Sequence, residues 1–218
     1  MGIEINLMKN YPRTKRDPKA RAESKTEEDR SIARQFDKDF FDGDRKYGYG
    51  GYNYNSRFWQ PVVPDFINHF SLNENSSILD VGSGKGFMLK DFKDALPGIK
   101  IQGIDISQYA IENSLEAVKN FQEVGDAKDL PYEDKAFDLA TSIVTLHNLP
   151  RAECGQALRE ITRVSHNSFI TLDAYSNEEE KKAMEDWNLT ALTVMHVDEW
   201  VAFFEEHGYA GDYYWFKP

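Results

Sequence analysis

The run Ile78-Leu79-Asp80-Val81-Gly82-Ser83-Gly84-Lys85-Gly86 sets three glycines at alternate positions directly after an apolar, β-prone stretch. Glycine at 82, 84 and 86 lets the backbone turn tightly and approach a ligand where a Cβ would collide. A helix opening after such a turn offers unpaired N–H groups. A carboxylate, Asp105, ends the next apolar run, Lys100 to Ile104. That is the usual place for an acid that holds ribose hydroxyls. Residue types and spacing together describe a nucleoside-binding α/β site.

Spacing narrows the nucleoside. A dinucleotide fingerprint wants glycine at its sixth position, where Phe87 stands. A phosphate-cradling loop wants glycine where Leu79 stands and Ser or Thr where Gly86 stands. The string instead resembles the first motif of the class I S-adenosylmethionine (SAM)-dependent methyltransferases, written D-x-G-x-G-x-G. Gly103-Ile104-Asp105-Ile106-Ser107 is similar to the second motif, and Gly125-Asp126-Ala127 to the loop that brackets the adenine. Phe137 to Ser142 resembles the fourth strand, and Ala157 to Val164 the helix after it. The resemblance covers roughly residues 60–218.

It implies a Rossmann-like α/β fold: a central, mostly parallel seven-stranded sheet, helices on both faces and an N-terminal helical and loop lid. SAM is the implied cofactor and S-adenosylhomocysteine its product. Asp80, Gly82, Ser83, Gly84 and Gly86 of the first motif are implied to bind it. Asp105, Ile106, Asp126, Ala127 and Ser142 would complete the cofactor set.

For the acceptor, the loop Thr145 to Leu149 is expected to face the methyl group. His147 titrates near neutrality and is a candidate general base, the alternative being simple packing. Asn148 would orient the acceptor or serve only the turn. The tyrosine-rich loop at 47–57 reads as a lid, with Tyr47, Tyr49, Tyr52 and Tyr54 offering faces to a sulfonium and hydroxyls to a polar acceptor. Tyr49 and Tyr52 join His147 as catalytic candidates. Arg45 and Arg57 could fork onto a carboxylate or phosphate, and Tyr175 is a further substrate contact. Tyr11, Tyr109 and Tyr132 read as packing or cofactor-shell residues. The histidines show no metal-ligand spacing, so no metal is expected.

The elements that must position these groups alternate strand and helix from Ser77, which predicts a parallel sheet. Upstream, the spacing predicts a helix over 23–41, a loop over 42–57 and a helix from Pro61 to Phe70. Downstream, helices are expected at Arg151–Val164, after the cap Asn177, and from Asp198 to His207. Tyr213 to Phe216 reads as an edge strand, often antiparallel in the family resembled. Residues 1–60 are expected to be an extension and lid, and 61–218 the SAM-binding domain.

The 218 residues suit one domain with a sizeable core. No apolar run nears the ~20 residues of a membrane helix. The single cysteine, Cys154, fits a reducing cytoplasm. A net charge of −11 opposes nucleic-acid binding over a broad surface, although Lys9, Arg13, Lys15, Arg16, Lys19 and Arg21 form a basic cluster. The chain therefore reads as a cytoplasmic methyltransferase acting on a small polar metabolite, sugar or peptide, at a hydroxyl or carboxylate oxygen, in biosynthesis. The competing readings are a non-catalytic SAM-binding module, an N-methyltransferase and an RNA methyltransferase.

Overall fold

A computed structural model describes residues 2–12 and 25–217. Arg13 to Arg21, most of the basic cluster, lie outside the described residues, while Lys9 pairs with Asp65 at 3.0 Å. The strands are β1 (Ser77–Val81), β2 (Lys100–Asp105), β3 (Gln122–Val124), β4 (Phe137–Ile143), β5 (Ser165–Tyr175), β6 (Met195–His196) and β7 (Asp212–Phe216). They form one seven-stranded sheet in the order β3-β2-β1-β4-β5-β6, with β7 also pairing β5. Every strand pair is parallel.

Helices cover both faces. On one, α3 (Val63–Phe70) and α4 (Phe87–Ala95) bury Phe66, Leu89 and Phe92 against Ile78, Ile101 and Phe169. On the other, α6 (Arg151–Val164) and α8 (Val197–Glu206) pack onto Leu79, Ala140 and Ile170. Helix α6 follows Pro150 and buries Cys154, Ala157, Leu158, Ile161 and Val164, the three-and-four spacing of a single apolar face. Burial pushes the Cys154 thiol up to about 12, so it stays protonated among its apolar neighbours. Between these lie α5 (Gln108–Glu112) and α7 (Glu178–Trp187), the latter capped by Asn177 and opened by three glutamates that suit the helix dipole.

Two expectations are corrected. The helix expected over 23–41 is two short ones, α1 (Glu27–Ala33) and α2 (Lys38–Asp42). Phe36 breaks the run at φ 49°, and the Asp37 side chain caps α2 by accepting from Lys38 N–H. The last strand is parallel to its neighbour, not antiparallel. Helix α8 carries the chain back across the sheet, and a helical crossover returns a strand in the same direction. Nor is β7 an open edge. Tyr213 exchanges backbone hydrogen bonds with Ile3 and Ile5 at 3.1 and 2.9 Å, which covers polar groups that would otherwise invite pairing.

Candidate active site

Ligands of open α/β sheets bind beyond the carboxyl ends of the strands. There, loops of this chain enclose a cavity of about 1090 Å³. That is the upper end of the roughly 300–1,000 Å³ of small-molecule sites, room for two ligands side by side.

The first half lies over β1, β2 and β3. Gly82 and Gly86 have φ of 82° and 77°, and a Cβ on either would come 2.3 Å from a side-chain oxygen, of Thr145 and Gln122 respectively. Gly84 N–H and Ser107 N–H each donate to the Asp105 carboxylate at 2.8 Å. Each carboxylate oxygen thus keeps a lone pair for a ribose hydroxyl. Burial pushes the Asp105 carboxyl up against the pull of those two bonds. Burial likewise raises Asp80 to about 7, with the charge of Asp105 adding and a 3.0 Å hydrogen bond from Thr141 opposing. Ile106 is 58% exposed and lines the cavity, an apolar surface of the kind a flat base covers. Ser83, Asp126 and Ala127 line the same half. A glycine loop lining the cavity, a prepared carboxylate and an uncovered apolar platform fit an adenosyl ligand.

The second half lies over β4, β5 and β7. The registers align Ile143 with Thr171 and Thr171 with Tyr214, so one row across the sheet forms its floor. Its walls come from the N-terminal segments: Tyr11, Phe36, Phe40, Tyr49, Tyr52 and Trp59. The rings support one another. Tyr49 and Tyr52 lie 4.2 Å apart between centroids, Tyr52 stacks on Phe87 at 4.5 Å, and Tyr11 meets Trp59 edge-on at 5.2 Å. Val144 also lines this half at φ 55°, a conformation rare for a β-branched residue and characteristic of functional loops.

A single carboxylate fastens the lid. Asp42, at the end of α2, accepts from Lys85 Nζ at 2.6 Å, Tyr109 hydroxyl at 2.7 Å and Tyr52 N–H at 2.9 Å. Burial pushes its carboxyl up, but these partners outweigh that and hold it below the ordinary value. Lys85 sits inside the glycine loop, so the cofactor loop and the lid are tied through one ion pair.

Of the expected acceptor residues, Tyr49, Tyr52 and Asn148 line the cavity and the others do not. Burial pushes the Tyr52 phenol well above its ordinary value, and Tyr49, 48% exposed, lies beside it; both offer a neutral hydrogen bond or a ring face, not a base. His147 is corrected. It is 2% exposed, its Nδ1 accepts Asp173 N–H at 3.0 Å, and it lines no part of the cavity. The tight turn Leu146–Asn148 sends adjacent side chains different ways, His147 inward and Asn148 toward the cavity. Burial lowers the His147 pKa more than Asp173 raises it, so the ring is neutral.

The remaining expectations fail for equally local reasons. Arg45 donates to Gly48 O, and Arg57 lies over the Phe58 ring at 4.7 Å. Tyr47 is covered by Lys46 at 4.5 Å, Tyr54 donates to Asp91, and Tyr175 packs edge-on against His196 at 5.7 Å. Ser142 is fully buried and donates to Val81 O at 2.9 Å, and Gly86 packs under the loop instead of facing the cavity. Sequence reasoning missed Asp42, Glu4 and Trp59. Their one signal is aromatic richness upstream of residue 60, which names no contacts.

Comparison with known proteins agrees with the first half of the cavity. Residues 79–168 match a family described as a methyltransferase domain. A tRNA (carboxymethyluridine(34)-5-O)-methyltransferase of Arabidopsis thaliana is 32% identical over 144 residues, 65% of this chain and 33% of that protein. The mouse mitochondrial arginine-hydroxylase NDUFAF5 is 36% identical over 78 residues, 34% of this chain and 22% of that protein. The chain thus spans 22–33% of the length of these curated relatives. Among solved structures, a chain of the complex between the Haloferax volcanii Trm112 methyltransferase activator and a methyltransferase superposes with TM-score 0.53 and 22% identity, covering 65% of each chain.

Proposed function

Through its domain at residues 79–168 the chain belongs to the class I SAM-dependent methyltransferases, and from that premise we propose that it methylates a small molecule held in the aromatic half of the cavity. The observation that carries this is continuity: one cavity joins the glycine loop and Asp105 to a chamber walled by aromatic residues of the lid. SAM, when bound, supplies an electrophilic methyl group on a sulfonium. The chain's own part is alignment and exclusion of water. Asp105 holds the ribose, Asp80 lies at the amino-acid end, and Tyr52 closes over the glycine loop. A Cβ on Gly84 would meet the Tyr52 ring at 3.2 Å, so the lid already rests where the cofactor's polar end is expected.

With His147 turned into the core, the reaction runs without a histidine base. An acceptor already carrying a free lone pair suits such a site: a carboxylate, an ionised enol or an unprotonated amine. The oxygen acceptor expected from the sequence remains part of the proposal in its carboxylate or enolate form, whereas an alkyl hydroxyl loses its support. A second reading, RNA methylation, draws on the tRNA-modifying Arabidopsis relative and on the basic cluster near residue 15.

The test is transfer of labelled methyl from SAM into an extract of the source cells, followed by size fractionation. Label in the small-molecule fraction is the expected result. Label confined to RNA or protein overturns it in favour of the other substrate class. Mild alkali then sorts the product, since an ester releases volatile methanol and an ether, amine or carbon product does not.

A further inference from the structure

The acceptor chamber has a charge of its own. Among the described residues three cations line the cavity, and each already has an acidic partner. Arg34 pairs with Glu27 at 3.3 Å, Lys128 with Glu153 at 2.6 Å and Lys217 with Glu180 at 2.9 Å. Two of the lining acids are committed as well: Asp105 to the glycine loop and Asp126 to Lys128 at 3.4 Å. Glu4 differs. It lines the cavity, is exposed, and has no ion-pair or hydrogen-bond partner for its side chain among the described residues.

Position separates Glu4 from the cofactor. Its backbone bridges Tyr213 on the outer side of β7, whose inner neighbour is β5, followed by β4 and β1. Asp80 on β1 is thus four strand spacings away, about 19 Å across the sheet, and Val144 after β4 is three spacings away, about 14 Å. Glu4 is therefore remote from SAM and marks the far end of the acceptor chamber. Between the two ends stand Tyr11, Trp59 and Tyr214, ring faces that attract a cation as well as apolar carbon.

We propose that the acceptor is an elongated organic cation: an apolar or aromatic body in the ring-lined chamber, with an ammonium or guanidinium group held by Glu4 at the end remote from the methylated atom. This rests on the methyltransferase reading for which end of the cavity is reactive, and on charge and geometry alone for the cation.

Binding of three matched probes tests it: phenylbutylamine, phenylbutanol and phenylbutyrate, titrated into the full chain with saturating S-adenosylhomocysteine. The amine is expected to bind about tenfold more tightly than either of the others, a ring-face contact and one exposed ion pair combined. Glu4→Gln should erase that preference and Glu4→Lys should shift it to the butyrate. Equal or tighter binding of the neutral or anionic probe by the wild-type chain, no measurable binding of the amine, or an unchanged preference in Glu4→Gln overturns the proposal. S-adenosylhomocysteine affinity, measured first in each variant, isolates the premise. Its absence defeats the methyltransferase reading, while intact affinity without charge preference defeats only the cation.

Discussion

The two halves of the cavity are built by opposite means. The cofactor half is made from short contiguous stretches: residues 80–84, 104–106 and 125–128 each bring a backbone loop to the ligand. Its chemistry resides in backbone N–H groups, in glycine's freedom of φ and in one prepared carboxylate. The acceptor half is assembled from side chains that are distant in sequence, Glu4 and Tyr11 beside Thr171 and Tyr214. It offers ring faces and hardly any uncommitted charge. A site read through its backbone tolerates little change, whereas a site read through side chains can be recut one ring at a time. One fold can thus keep one cofactor while serving unlike acceptors.

That contrast predicts unequal consequences. The largest belongs to Gly82→Val: a branched side chain at φ 82°, pressed onto Thr145, should lower SAM affinity at least about 100-fold, measured by calorimetry. An affinity within threefold of wild type would remove the close-approach argument. Next comes Tyr49→Ala in the other half. It should cut kcat/KM for the acceptor about tenfold and leave SAM affinity within about twofold, the size expected for one aromatic pair with its buried area. Equal losses for both ligands would mean that the halves are not separable.

His147→Leu is expected to act on neither half. Removing the ring strands the Asp173 N–H and should cost about 1–3 kcal/mol of unfolding free energy, while turnover by the folded fraction stays near wild type. A turnover loss above tenfold at full occupancy would restore the base.

The smallest effect is one of pH. Asp80 is raised to about 7 by burial, far above its unfolded value. The fold favours the neutral acid, so the stability this group contributes is present in acid and is lost as the pH rises through about 7. The ligand-free chain should melt at a lower temperature at pH 8 than at pH 6. The gain on adding SAM, whose amino group favours the carboxylate, should grow over the same interval. Asp80→Asn should flatten both trends in a thermal-shift series.

What the sequence made legible follows the same division. The alternation of strands and helices from Ser77, the glycine loop and Asp105 were all readable because each is set by local spacing. The direction of β7 was not, since it depends on how α8 crosses the sheet and not on the residues of the strand. His147 misled for a related reason. Its type suits catalysis, but which residue of Leu146–Asn148 points outward is a property of one tight turn. Of the tyrosine loop only the two middle members, Tyr49 and Tyr52, line the cavity, while Lys46 lies over Tyr47 and Tyr54 donates to Asp91. Arg45 and Arg57 were read as anion clamps from charge alone, and their nearest partners turned out to be a carbonyl and a ring.

The pairing of Ile3 and Ile5 with Tyr213 has a bearing on how the molecule comes into being. Ile3 N–H also reaches the Asp212 carboxylate, a contact between residues 209 positions apart. Chains emerge from the ribosome in order at about 5–20 residues per second, and long-range contacts form late. The glycine loop and the strands around it can therefore organise while the chain is still being made, but the wall carrying Glu4 must wait until Asp212 and Tyr213 have been added. A newly made chain would acquire its grip on the cofactor first and its discrimination among acceptors last.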